Sequence, residues 1–240
     1  MRILLILIAS AFQLRAGALL IDDFNSAPID TSNWVVNVPY SDSAVFLDHG
    51  EIVFRNGGSL ITKTPLSEYS VITGSFRFTG SIWDRFSINL RANGNYRFGS
   101  YGTYASDIYV EIQHTGGESG GPIRNVTLSH DGIAHYDQVQ YGPFGRFESN
   151  TSYSFKIEDT GTTINVFIEN FTTPLLSGTS LTRDGYFIAI GNREGAGNGS
   201  SISAGSELRI DSITIIPEPS ALSLLVFGLG VVLRRRRGTV

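Results

Sequence analysis

The chain has 240 residues, with 18 Lys+Arg against 22 Asp+Glu and a formal charge of −4. The absence of cysteine excludes disulfide scaffolds, thiolate metal sites and thiol nucleophiles, and this length suits one β-rich domain with a real core. Six of the bases (Arg2, Arg15, Arg234, Arg235, Arg236 and Arg237) lie in the two end segments, so the middle is strongly acidic, which argues against a nucleic-acid partner.

At the start, Met1-Arg2 precedes an apolar run over residues 3–12, the length of a signal-peptide core. Ala16-Gly17-Ala18 follows as a small-x-small cleavage site, so Ala16 and Ala18 are the expected cleavage determinants and the mature chain is predicted to begin near Leu19. Ala9-Ser10-Ala11 is a rival site. The uniform apolarity of the run, ending at polar Asp22-Asp23, argues against a buried first strand or helix.

From residue 19 to 216 the pattern has period two. Phe76-Arg77-Phe78, Phe86-Ser87-Ile88-Asn89-Leu90-Arg91, Tyr153-Ser154-Phe155-Lys156-Ile157-Glu158 and Ile164-Asn165-Val166-Phe167-Ile168 each put apolar groups on one face. Leu208-Arg209-Ile210 and Ile213-Thr214-Ile215 repeat it. Asn56-Gly57-Gly58, Asn93-Gly94-Asn95, Asp131-Gly132, Asp159-Thr160-Gly161 and Asp184-Gly185 supply the turns. About a dozen short strands at this spacing predict an all-β, antiparallel two-sheet β-sandwich of jelly-roll type. With no sustained helical period, interior linker or repeat, residues 19–216 read as one domain. Trp34 is assigned to its core.

The tail, residues 217–240, runs Pro217-Glu218-Pro219-Ser220, then an apolar stretch over 221–233, then Arg234, Arg235, Arg236 and Arg237. A helix of that stretch covers roughly 20 Å of a hydrocarbon core about 30 Å thick, and arginine side chains snorkel to recover part of the shortfall. The arginines should stay cytoplasmic, which places the middle of the chain outside the inner membrane.

Candidate chemistry in the middle is sparse. Gly117-Glu118-Ser119-Gly120-Gly121-Pro122 fits Gly-x-Ser-x-Gly and resembles the nucleophile loop of chymotrypsin-like proteases. Only His49 and His114 precede it, neither in the Ala-His-Cys context of those enzymes, and a strand is expected after it where a nucleophile elbow needs a helix. It reads as a glycine-rich loop. His49, His114, His130 and His135 have no metal-binding spacing. Trp83, Tyr96, Tyr101, Tyr104 and Tyr109 cluster beside Arg85, Arg91 and Arg97, where flat rings stacking on sugars and polar groups bonding hydroxyls would make a glycan site. Core packing accounts for most of these rings singly. Asp107, Tyr109 and Glu111 share one strand face. The sequons at Asn125, Asn150, Asn170 and Asn198 are read as turn composition.

Two resemblances add to this. Pro217-Glu218-Pro219, a short hydrophobic helix and an arginine cluster resemble the PEP-CTERM sorting signal of bacterial exosortase substrates. That resemblance implies signal peptidase and exosortase as export partners, inner-membrane attachment through the tail before processing, and a destination at the cell surface or in an exopolysaccharide matrix. Ile21-Asp22-Asp23-Phe24 followed by Trp34, the paired strands over 153–159 and 163–170, and the closing segments 186–192 and 208–215 resemble concanavalin A-like lectin/glucanase jelly rolls, including laminin-G-like modules. Laminarinase-like members carry Glu-x-Asp-x-(x)-Glu on one strand, whereas Asp107-Ile108-Tyr109-Val110-Glu111 lacks the first Glu and spaces the acids differently. The resemblance also implies a structural calcium between the first and last strands, with Asp22 or Asp23 and Asp211 as side-chain ligands; ordinary turn acids are the competing reading. No cofactor is required. Two functions stay open: non-catalytic glycan or surface binding, with Trp83, Arg85, Tyr109 and Glu111 as contact candidates, and a glycoside hydrolase or lyase with a diverged site.

Overall fold

The computed structural model describes residues 20–38, 42–65, 70–79, 84–92, 108–114, 125–130, 133–142, 145–179, 187–192 and 207–217. They form fifteen strands: β1 (Leu20–Asp22), β2 (Trp34–Asn37), β3 (Ala44–Asp48), β4 (Glu51–Arg55), β5 (Ser59–Thr62), β6 (Ser70–Phe78), β7 (Arg85–Ala92), β8 (Ile108–Gln113), β9 (Val126–His130), β10 (Ile133–Val139), β11 (Tyr153–Asp159), β12 (Thr163–Ile168), β13 (Leu176–Thr179), β14 (Phe187–Asn192) and β15 (Leu208–Pro217). Sheet A has the order β13-β12-β11-β6-β15-β4-β3, with β1 also on β15; sheet B has the order β10-β9-β8-β7-β14-β5-β2. All pairings are antiparallel. The expected all-β sandwich is the observed one.

Alternation explains the layering. On β6, Ile72, Phe76 and Phe78 face inward and are fully buried, while Val71, Thr73, Ser75 and Arg77 face out and stay partly exposed. Phe86, Ile88 and Leu90 of β7 and Phe155 and Ile157 of β11 meet them from both sheets. Phe76 lies at the centre of an aromatic cluster, with ring centroids 5.2 Å from Phe86 and 5.5 Å from both Phe78 and Phe147. Each such ring contributes about 1.5–3 kcal/mol through burial. Trp34 is buried in this core, as expected.

The two apolar segments at the end of the domain prove to be one ten-residue strand. Leu208 and Ile210 face the core before position 211, and Ile213 and Ile215 after it, so the parity changes midway. A β-bulge makes this work: Ile210 pairs with Phe76 and Ser212 with Ser75, leaving Asp211 as the extra residue. The β11–β12 turn is the expected Asp159-Thr160-Gly161 sequence, with Gly161 at φ +88° and its amide donating to Asp159 Oδ1 (2.8 Å).

On the outer face of sheet A, bases and acids interleave. Arg209 lies within 2.8 Å of Asp48, 2.7 Å of Glu207 and 3.3 Å of Glu51. Arg77 pairs with Glu51, and Arg55 pairs with Glu207. A second kind of pair ties the two sheets together: Arg91 near the end of β7 donates from Nε and Nη2 to the two carboxylate oxygens of Asp159 of β11, both side chains being buried.

Candidate functional site

Sheet B carries a different outer face. The pairings align Thr127 (β9), Glu111 (β8), Ser87 (β7), Gly191 (β14), Ser59 (β5) and Asn37 (β2) in one row across six strands. A second row aligns Ser129, Tyr109, Asn89, Ala189, Ile61 and Val35. The inward residues of these strands, such as Val110, Ile112, Phe86, Ile88, Val126 and Leu128, fill the core, so the polar alternates are forced outward together.

These outward groups are shielded. Glu111, Ser87 and Thr127 are each 1% exposed, and Tyr109 is 5% exposed. Glu111 Oε1 accepts from Gln113 Nε2 (2.7 Å) and lies 3.4 Å from Arg85 Nη1. The hydroxyls of Ser87 and Thr127, directly opposite Glu111 on its two neighbouring strands, have no hydrogen-bond partner among the described residues. A buried hydroxyl without a partner costs about 1–3 kcal/mol of desolvation. Two of them flank one buried carboxylate, so the centre of the row carries polar groups that the described residues leave unsatisfied. Gly191 sits between Ser87 and Ser59 for packing reasons, since a Cβ there would lie 2.4 Å from the Gly58 carbonyl oxygen.

Of the expected glycan contacts, Arg85, Tyr109 and Glu111 do gather on this one face. Trp83, Asp107, Tyr96, Arg97, Tyr101, Tyr104 and Ser119 lie outside the described residues, as do Ala16, Ala18, Glu218, Pro219 and the four tail arginines; Pro217 ends β15. Arg91, grouped with the sugar-bonding arginines from sequence, is engaged with Asp159 instead. Asn125 is not a turn residue: its buried amide accepts from Tyr141 N (2.7 Å) and donates to Tyr141 O (3.1 Å), splicing that segment alongside β9. His114 is a satisfied structural histidine, stacked on Phe78 at 5.1 Å with Nε2 3.2 Å from Ser149 Oγ.

Retaining glycosidases need two carboxyls about 5–5.5 Å apart, inverting ones about 6.5–9.5 Å. Same-face neighbours on one strand stand about 6.5–7 Å apart along the backbone, so the positions able to complete a pair with Glu111 on β8 include 109 and 113. They hold Tyr109 and Gln113. Across the outward positions of β9, β8, β7, β14, β5 and β2, Glu111 is the single carboxylate among the described residues.

The implied calcium meets a similar test. Asp22 pairs with Ile213, two residues from Asp211, so register brings the two acids near each other. Yet Asp22 Oδ1 accepts from Phe24 N (2.9 Å) and Oδ2 from the Trp34 indole Nε1 (2.8 Å). Asp211 is the exposed bulge residue, 3.5 Å from Ser75 Oγ. Among the described residues no three His, Asp or Glu side chains converge, whereas calcium takes six to eight oxygens. The carboxylates of Asp22 and Asp211 alone supply too few oxygens for such a cage, and Asp22 also anchors Trp34.

No protein-family model matches the chain, and no curated protein matches it. Solved structures do. A Bacillus licheniformis beta-glucanase superposes with a TM-score of 0.59 at 11% identity, covering 84% of this chain and 99% of that one. The exoplasmic/lumenal domain of VIP36, in its Ca2+-bound form, gives 0.54 at 11% identity, covering 85% and 93%. An immunostimulatory antigen and pseudo beta-1,3-glucanase of Mycobacterium tuberculosis gives 0.53 at 14% identity, covering 83% and 98%. At such identities the likeness is one of fold alone: the domain shares the two-sheet antiparallel jelly-roll architecture of these structures.

Proposed function

We propose that the chain is an exported, exosortase-sorted protein of the cell surface or exopolysaccharide matrix that binds glycan through the outer face of sheet B without cleaving it. The observation that carries the binding half is the shielded polar row, in which the Ser87 and Thr127 hydroxyls flank Glu111 with no partner among the described residues. Sugars are dense in hydroxyls, and hydrogen bonds to them gain strength in a shielded setting. Arg85, Tyr109, Asn89 and Ser129 extend the row, and the fold likeness to a glucanase and to VIP36, whose oligosaccharide-bound form is also a structural neighbour, supports a carbohydrate ligand.

The non-catalytic half rests on the carboxylates. Glu111 is engaged by Gln113 and Arg85, and Tyr109 and Gln113 hold the flanking same-face positions on β8. The export half rests on sequence: the apolar run over 3–12 with Ala16 and Ala18, and Pro217-Glu218-Pro219 before an apolar stretch and four arginines. The binding half is tested by applying the purified chain to a polysaccharide array while reducing-end release is followed on the same glycans. Retention on a subset of glycans with no new reducing ends is expected. The export half is tested in the native host by fractionation: replacing Pro217, Glu218 and Pro219 should hold the uncleaved protein at the inner membrane, and an unchanged size and distribution would remove the sorting assignment.

A further inference from the structure

The domain's first and last described strands are neighbours. β1 runs antiparallel to β15, with Leu20 opposite Ile215, and β15 ends at Pro217. The chain therefore enters and leaves at the same end of one strand pair, strands lying about 5 Å apart. Only residues 218–220 separate Pro217 from the apolar stretch over 221–233. Four extended steps reach about 14 Å at most, so this corner stays close to wherever that stretch is held.

The same corner carries exposed apolar side chains. Ile21 is 62% exposed and Ile216 is 46% exposed, both on the outer face of sheet A. Ile216 is directly opposite Val71 on β6, and Ile21 is opposite Thr214, diagonal to Ile216. Thr73 adds a neutral side chain to the patch, and the exposed carboxylate of Asp23, two residues beyond Ile21, marks its edge. The charges bordering it on β11, Lys156 and Glu158, neutralise each other at 2.8 Å. The interleaved ion pairs of Arg209, Arg77 and Arg55 lie on the other side of the bulge at Asp211.

We infer that the patch of Ile21, Val71 and Ile216 rests on the lipid surface of the membrane that holds residues 221–233, turning the polar face of sheet B away from the membrane. This rests on the export reading above. The occupant is a lipid surface because the short link from Pro217 gives the patch no freedom to stand far from the tail's apolar stretch, and because an uncharged face of two exposed isoleucines matches the headgroup–acyl boundary.

The absence of native cysteine permits single-site labelling. Val71→Cys, Val35→Cys and Leu225→Cys, each made in the full chain, are labelled with a fluorophore and reconstituted into phosphatidylethanolamine–phosphatidylglycerol vesicles whose acyl chains are brominated. Val35, 46% exposed on the outer face of sheet B, is the matched control. Quenching several-fold stronger at Val71 than at Val35 is expected, and adding Ile21→Asp and Ile216→Asp should abolish the excess while Leu225 stays quenched. Equal quenching at Val71 and Val35 with Leu225 quenched overturns the lipid contact and leaves the export reading standing. An unquenched Leu225 overturns both.

Discussion

On the outer face of sheet A, Arg55, Arg77 and Arg209 interleave with Asp48, Glu51 and Glu207, and each of these charges has an opposite partner within 4 Å. On the outer face of sheet B, the row through Ser87, Glu111 and Thr127 is more deeply shielded, yet two of its hydroxyls have no partner among the described residues. The first face has its polar groups satisfied within the fold and needs nothing further. The second retains unsatisfied capacity where it costs stability, and that is the pattern expected where polar groups are kept for a ligand rather than for folding.

Substitutions should therefore act in opposite directions on the two faces. The largest effect belongs to Arg209→Ala, which leaves Asp48, Glu51 and Glu207 without their shared cation. A loss of about 2 kcal/mol is expected for this half-shielded network, seen as a fall of roughly 5 °C in the unfolding midpoint, with glycan retention unchanged. Ser87→Ala and Thr127→Val should do the reverse. Removing a buried hydroxyl that lacks a partner is neutral or stabilising by about 1 kcal/mol, while glycan affinity falls roughly five- to tenfold for each bond lost. A clear loss of stability in either variant would mean that the hydroxyl is satisfied in the folded protein and the contrast between faces is false.

The smallest effect is the pH response. Arg77 donating to Glu51 holds that carboxyl below its ordinary value of 4.5. Burial pushes Glu207 up, but bonds from Arg55 and Arg209 outweigh it and leave its pKa lowered as well. A carboxyl lowered in the folded state contributes stability that is fully present above its unfolded-state value and is lost as pH falls through the folded one. Thermal unfolding followed from about pH 6 down to about pH 3 should show a falling midpoint. Glu51→Gln should flatten that fall, and Ser87→Ala should leave its slope unaltered.

Much of the fold could be read from the sequence because burial imposes period two on each strand separately. Phe76-Arg77-Phe78 and Ile164-Asn165-Val166 are intelligible without knowing their neighbours. The bulge at Asp211 was hidden, since two segments of opposite parity look like two strands until β6 is laid beside them. The site was only half legible. Arg85, Tyr109 and Glu111 lie close together in sequence, on adjacent strands β7 and β8. Ser87 and Thr127 carried a weak signal, small polar residues alternating with apolar ones, but their place on either side of Glu111 depends on the register of β7, β8 and β9. The resemblance offers Asp22 to a calcium, and Arg91 stands beside a run of aromatics in sequence; the hydrogen bonds they make to Trp34 and Asp159 reach strands that local pattern does not connect.

The most direct measurement is a calorimetric titration of the wild-type chain and the Ser87→Ala/Thr127→Val double variant with the glycan that the array selects, with reducing ends counted in the same samples. Saturable binding by the wild type, weaker binding by an equally or more stable double variant, and no new reducing ends in either is the predicted result. Glycan cleavage that Glu111→Gln abolishes, or identical affinities for the wild type and the double variant, would contradict it.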